Sequence, residues 1–411
     1  MAELAALGSP LLIRRGSTAQ VLATLCRELG ASGLDFTAPL DPLGRRRVQE
    51  VRVRLAGLEC RPHPGVTLYD PKAIRNRSGE PFKVFTPFWK ALNLYGDPPL
   101  PLDAPSRLVP PSIAVQGLEL SELGLKPLKP DWAAGLRRTW VPGSRAGRER
   151  LASFLRGAIQ RYATDRDFPV RSGTSTLSPY LATGEVSPGE VWHAVRNAQR
   201  AGVVSGESAE AWLRQLAWRE FAWHLLDAFP HTLSQPLRPQ FEAFPWRDDP
   251  DAFVAWTRGQ TGYPIVDAGM RQLWETGWMP NRIRMIAASF LVKHLLIPWQ
   301  WGARWFEDTL VDADLACNTF GWQWVAGSGA DGVPYFRIFN PITQAETFDP
   351  DGEYIATWVP ELAPLPPQLR HQPWRADPQE VGGYPPPIVA HAWARQRALH
   401  AFDEMKKTQK A

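Results

Sequence analysis

Cysteine is scarce in this sequence: Cys26, Cys60 and Cys317 are the only three in 411 residues, and none is paired by spacing. That excludes a disulfide framework and a Cys-type zinc site, and it fits a reducing, cytoplasmic setting. No run approaches the ~20 apolar residues needed to cross a bilayer. The opening Met1-Ala-Glu-Leu-Ala-Ala-Leu-Gly8 is too short and too acidic for a signal peptide. No strand is followed by G-x-G-x-x-G and no G-x-x-x-x-G-K-[ST] occurs, which removes the dinucleotide fingerprint and the P-loop. Ser/His/Asp hydrolase spacings and metal-ligand spacings are missing too, so no metal is expected. Charge is nearly balanced: 46 Lys and Arg against 42 Asp and Glu leave +4, with a pI near 9.0. Such a mild excess permits an anionic partner without demanding one.

What the sequence does have is tryptophan, 19 of them, mostly in the second half. Singly each reads as core packing in a helical domain; together they invite stacking or electron transfer. The length and a 44% hydrophobic fraction suffice for two domains.

Residues 1–95 read as an incomplete, Rossmann-like α/β domain. Pro10–Ile13, Gly33–Phe36 and Gly57–Cys60 are strand candidates, separated by helices over Ala19–Leu29 and Arg45–Leu55. Strands alternating with helices predict a parallel sheet. Prolines crowd residues 96–148, which predicts an inter-domain linker. Residues 149–411 read as an all-α domain. Amphipathic helices are expected over Glu149–Ala163, Ser187–Ala201, Ala209–Phe229, Asp251–Arg258, Ile265–Gly277, Asn281–Leu296 and Trp301–Leu310.

One segment has the chemistry of a phosphate cradle: Gly173-Thr-Ser-Thr-Leu-Ser-Pro-Tyr-Leu-Ala-Thr-Gly. Hydroxyls and free amides at a helix start bind anions with the helix dipole, although the same pattern also serves as a plain cap. This stretch joins Trp218-Arg-Glu-Phe, Thr261-Gly-Tyr-Pro-Ile-Val-Asp-Ala-Gly-Met-Arg, Trp278-Met-Pro-Asn-Arg-Ile-Arg-Met, Asp312-Ala-Asp-Leu-Ala-Cys-Asn-Thr-Phe-Gly-Trp-Gln-Trp and Tyr335-Phe-Arg-Ile-Phe-Asn-Pro. In that order and spacing, over roughly residues 150–362, the set resembles the photolyase/cryptochrome family, closest to class I cyclobutane pyrimidine dimer photolyases.

The resemblance implies a helical domain holding FAD in a U shape. Tyr162, Thr174, Ser175, Leu177 and Ser178 correspond to residues around its phosphates and ribitol. Trp212, Arg219, Arg284, Asp312, Asp314 and Asn318 correspond to those around the rest, with Asp312 pairing Arg284 and Asn318 facing the flavin N5. Relatives often carry Arg where this chain has Thr176. Trp322, Trp299 and Trp246 match the chain that passes an electron from the surface to the flavin. The implied substrate is a pyrimidine dimer flipped out of DNA. Trp218 and Trp324 match its stacking walls, Asn281 and Met285 a pocket-facing pair one turn apart. Arg282 and Arg337, with Arg166 a weaker third, match phosphate contacts. The implied reaction is light-driven electron donation from reduced FAD, opening of the cyclobutane ring, and return of the electron.

Gln215 departs from the Glu usual in cyclobutane-dimer enzymes. An amide there points toward (6-4) photolyases or a cryptochrome-type photoreceptor, whereas Met285 opposes the (6-4) class, which typically has His. The family's opening strand and Trp-Phe-Arg-Arg-Asp-Leu-Arg-like segment have no counterpart, so the N-terminal domain reads as truncated. An open parallel sheet predicts poor solubility, and the antenna chromophore, folate or deazaflavin, is left open. A monomer is expected.

Overall fold

The computed structural model describes residues 2–127, 129–331 and 336–408. Helix α1 (Thr18–Leu29) ends on Gly30, whose positive φ of 59° suits a residue without a Cβ. Strand β1 (Gly33–Thr37), helix α2 (Pro42–Arg54) and strand β2 (Glu59–His63) follow as one βαβ unit. Asp41 starts α2 by accepting the Gly44 N–H at 2.7 Å, with Pro42 in the first turn where a missing donor costs nothing. The strands pair in parallel, Gly33 opposite Glu59 and Thr37 opposite His63. Among the described residues this is the whole sheet.

The strand expected at Pro10–Ile13 does not form. That segment runs irregularly beside the connection: the Ile13 carbonyl accepts the Leu118 N–H at 2.8 Å, and the Leu7 carbonyl accepts that of Leu108 at 2.7 Å. Helix α3 (Phe85–Tyr95) packs differently from its neighbours in sequence, because Phe85, Phe88, Trp89 and Leu92 join the core of the helical half. Each such burial contributes about 2 kcal/mol. Among the described residues of 96–143, only the short helices Leu120–Leu123 and Ala134–Thr139 form.

Beyond lie α4 (Ser144–Arg156), α5 (Pro188–Arg200), α6 (Gly206–Ala228), α7 (Pro264–Thr276), α8 (Asn281–Ser289), α9 (Trp299–Thr309), α10 (Leu315–Ala326) and α11 (His391–Thr408). Helix α4 stops earlier than the pattern predicts, since Gly157 takes φ −135°, ψ −89° and breaks the ladder before Tyr162. The single helix predicted over Asn281–Leu296 also divides: after Ser289 the chain makes one π-helical turn, Phe290–His294. Helix α6 is apolar on most of its circumference and sits at the centre, touching α3, α5 and α10. One large core gathers α7, α8, α9 and α10 around Trp256, Trp299 and Trp322. No described helix is long and apolar enough to cross a membrane.

Candidate functional site

Three stretches of chain meet at the face of α6 that carries Trp212, Gln215 and Arg219, residues spaced to share one side of a helix. The loop before the one-turn helix Ser178–Ala182 brings Thr174, Ser175, Leu177 and Ser178, and Tyr162 closes that side. Helix α8 brings Asn281 and Arg284, and the start of α10 brings Asp312, Asp314 and Cys317. Ten of the eleven residues expected around a flavin line this one cavity. The eleventh, Asn318, lines an adjoining cavity with Met285, Phe306 and Trp322, which shares Asn281, Arg284, Asp312, Asp314 and Cys317 with the first.

Two ion pairs organise the interior. Arg284 Nη2 lies 2.7 Å from Asp312 Oδ2 while its Nε donates to the Met279 carbonyl at 2.8 Å. The expected Arg284–Asp312 pair therefore forms. Asp312 keeps its other oxygen, Oδ1, buried with no partner, on a side chain only 3% exposed. A buried carboxylate oxygen in that state needs a donor, which suits the N–H edge of a flavin. Arg219 pairs with Asp314 at 3.1 Å, and the same Asp314 oxygen accepts the Trp223 indole N–H at 3.1 Å. Its second oxygen caps α10 by accepting the Cys317 N–H at 3.0 Å. Asp314 is thus mostly engaged by protein groups, with less capacity left for a ligand than its expected place around the flavin implies. Burial pushes the Cys317 thiol up, away from reactivity. Next to Arg219, burial raises Glu220 to about 7 although its Oε1 accepts the Leu68 N–H at 2.8 Å.

The phosphate-side loop is strained at one residue. Thr176 has φ +48°, a left-handed conformation that crowds a β-branched side chain and costs roughly 1–3 kcal/mol. Its hydroxyl donates to the Ser175 carbonyl at 2.8 Å and accepts from Arg150 Nη1. On the far side, Trp278 Nε1 donates to Ser178 Oγ at 3.3 Å.

The expected relay residues are graded by depth. Trp322 and Trp299 are each 2% exposed, and Trp246 packs half-buried against the same core. Trp322 lines the cavity containing Asn318, whose Nδ2 donates to the Ala303 carbonyl at 2.9 Å. Gly302 lets α9 approach the Trp322 ring: a Cβ there would sit 2.0 Å from Trp322 Cη2. Two ring neighbours of Trp322 were not expected, Phe306 at 4.9 Å and Trp256 at 6.1 Å between centroids. The sequence signals them only as apolar positions on periodic helices.

The expected substrate residues do not all converge. Asn281 and Met285 do, with Nδ2 3.5 Å from the sulfur, and Gln215 lines the cavity too. Arg282 is tied to Asp167 at 2.8 Å and stacked over Phe348 at 4.3 Å, and Arg166 lies 3.8 Å from Asp167. Trp218 departs from its expected role as a cavity wall. It lines neither of the two adjoining cavities: one face of its ring stacks on Phe85, centroids 3.6 Å apart and 10° from parallel, with Phe320 at 5.6 Å, while part of the residue stays exposed. Trp324 and Arg337 line a separate cavity with Arg238, Phe336 and Lys293. Tyr335 lies outside the described residues. Lys293 escaped the sequence reading because it sits inside an apolar run. It is fully buried, donates to the Ala326 carbonyl at the end of α10 at 2.8 Å, and its pKa is lowered by desolvation.

Known proteins resemble this chain over nearly its whole length. A family model described as the FAD binding domain of DNA photolyase matches residues 212–404, and one described as DNA photolyase matches residues 1–106. A deoxyribodipyrimidine photo-lyase of Agrobacterium fabrum (strain C58) is 45% identical over 98% of this chain and 85% of its own length. Cryptochrome-2 of Arabidopsis thaliana is 39% identical over 99% of this chain and 70% of its own. A crystal structure of a bacterial class III photolyase from Agrobacterium tumefaciens superposes with a TM-score of 0.95 at 45% identity, covering 99% of this chain and 86% of that one. Its class differs from the class I likeness that the motifs suggest.

Proposed function

The chain belongs to the photolyase/cryptochrome family as an enzyme of the DNA photolyase kind with its FAD-binding domain, and on that premise we propose that it repairs cyclobutane pyrimidine dimers in DNA under blue light. The observation that carries the reading is the cavity between α6, α8 and α10, with the Arg284–Asp312 pair and the unpartnered Asp312 Oδ1 inside it. Bound reduced FAD supplies the absorption of light and the transferable electron. The chain's own residues supply position and electrostatics. Hydroxyls and amides of Thr174, Ser175 and Ser178 would hold the FAD phosphates, and Asp312 would accept a hydrogen bond from the cofactor while Arg284 holds the carboxylate in place. Asn318 presents a neutral amide whose orientation is fixed by the Ala303 carbonyl. Trp322, Trp299 and Trp246, graded from the core to the half-buried surface, would be the residues to carry an electron toward a bound flavin.

Asn281, Met285 and Gln215 meet the lesion. Gln215 donates to base edges but cannot shift protonation, so repair proceeds with a lower quantum yield than a carboxyl would give. Arg282 and Arg337 meet DNA phosphates, Arg282 after exchanging Asp167. We assign the chain to class III with its solved relative, acting as a monomer, with residues 1–95 as the α/β domain, 96–148 as linker and 149–411 as the catalytic domain. A photoreceptor role is the second reading, favoured by the similarity to Cryptochrome-2 over 99% of the chain. The test is to illuminate the reduced protein with oligonucleotides carrying one cyclobutane dimer or one (6-4) product. Restored thymines from the first alone support the proposal. Repair of the second alone moves the chain to the other photolyase class, and repair of neither leaves the photoreceptor.

A further inference from the structure

The strained loop residue Thr176 and the arginine bound to it belong together. A basin outside the loop shares Thr174, Ser175, Thr176 and Trp278 with the cofactor cavity and adds Arg150, Arg166 and Arg171. Arg171 is neutralised by Asp165 at 2.8 Å, and Arg166 lies 3.8 Å from Asp167. Arg150 differs. Among the described residues no carboxylate pairs with it, because nearby Glu149 is taken by Arg145 at 2.9 Å and Glu190 by Arg148 at 2.6 Å. The guanidinium is nevertheless held in place: Nη1 donates to Thr176 Oγ1, and its carbon lies 5.4 Å and 5.9 Å from the ring centroids of Trp140 and Tyr180. The Thr176 hydroxyl has its one hydrogen directed at the Ser175 carbonyl, so it can only accept from Arg150. A half-buried cation fixed by neutral groups, with donors to spare and no counter-ion, is arranged for an anion that arrives from outside.

We propose that Arg150, reaching across from α4, is the cation for the FAD diphosphate in this chain, standing in for the arginine that relatives often carry in the loop itself at position 176. This rests on the cofactor placement proposed above. The hydroxyl of Thr176 then has a purpose that the strain at φ +48° otherwise lacks: it holds the guanidinium against the loop. Arg150 is a binding residue and takes no part in the electron transfer.

The test uses the full chain stripped of flavin and refilled, with FAD affinity read from quenching of flavin fluorescence. Arg150→Gln is expected to weaken FAD binding about tenfold, as loss of one charge-assisted contact should, and to flatten the rise of Kd with ionic strength. Arg150→Lys recovers part of the affinity, and Arg150→Gln combined with Thr176→Arg recovers most of it by moving the charge onto the loop. A purely structural role for Arg150 would instead leave the salt dependence intact and give no relocation rescue, which overturns the proposal. So does an unchanged FAD Kd, including one accompanied by weaker DNA binding, which would assign the arginine to a DNA phosphate. Failure of the unmutated chain to bind FAD would count against the cofactor site as a whole, a result separable from either of these.

Discussion

The βαβ unit and the helical half are built on opposite principles. From residue 18 to residue 63 only Ala19 and Val51 are buried apolar residues, and the strands are held laterally by Arg61 and His63 against Asp35, all half-exposed to water. Pairs of that kind contribute little. Helix α7 alone buries eight of its thirteen residues. The cavity is lined entirely from the second kind of structure, where side chains are locked by packing, and the segment from Val66 to Leu92 fastens the two together. The cavity therefore sits where local unfolding is costly.

Exchanging Asp312 for asparagine should have the largest effect: it strands Arg284, costs about 3 kcal/mol, and abolishes flavin retention. Denaturant unfolding and the flavin absorbance of the purified protein both read it, and an unaltered denaturation midpoint would break the contrast. Glu220→Gln should act in the opposite direction. Burial holds Glu220 at about 7 against an ordinary 4.5, so between those values the folded chain keeps a proton that the unfolded chain gives up. Stability is therefore lost as pH rises through that window, by up to about 3 kcal/mol. The amide still accepts from Leu68 N–H, so the variant should be the more stable protein at pH 8 and equal to the parent near pH 4.5. Gly302→Ala drives a methyl into Trp322 and should cost about 1–3 kcal/mol, with a shift in tryptophan emission. Last, Arg61→Ala should leave the melting temperature unchanged. Hydrogen exchange sharpens the same point: amides of β1 and β2 should exchange orders of magnitude faster than those of α7. Equal protection would mean that the βαβ unit is held by something other than its own contacts.

The long helices were legible because their apolar periods are long, as over Pro188–Arg200, which Ser187 caps; the caps at Ser205 and Asp314 went unread, so one helix was started late and Leu315–Ala326 was not expected. The cavity was legible as an ordered set of motifs, and the Arg284–Asp312 pair followed from it. What was not legible depended on contacts between distant segments. Pro10–Ile13 has the composition of a strand but no partner strand reaches it, and the connection at Leu118 takes its carbonyl instead. Trp218 has the identity of a cavity wall, yet one face of its ring is taken by Phe85, more than a hundred residues earlier. Lys293 looks misplaced in an apolar run until the end of α10 appears beside it. The π-turn at Phe290–His294 leaves no mark in the periodicity at all.

The two backbone anchors between residues 66 and 68 and α6 have a practical outcome. Arg219 donates to the Val66 carbonyl with one nitrogen and binds Asp314 with the other, while the adjacent Glu220 holds the Leu68 amide. Peeling that short strip away would free Arg219 to swing and would slacken one wall of the cavity. Flavin held in the proposed site should then be released on warming, read as a rise in flavin fluorescence, before the helical signal declines, so that emission becomes a thermometer for a strip of chain that lines no part of the cavity.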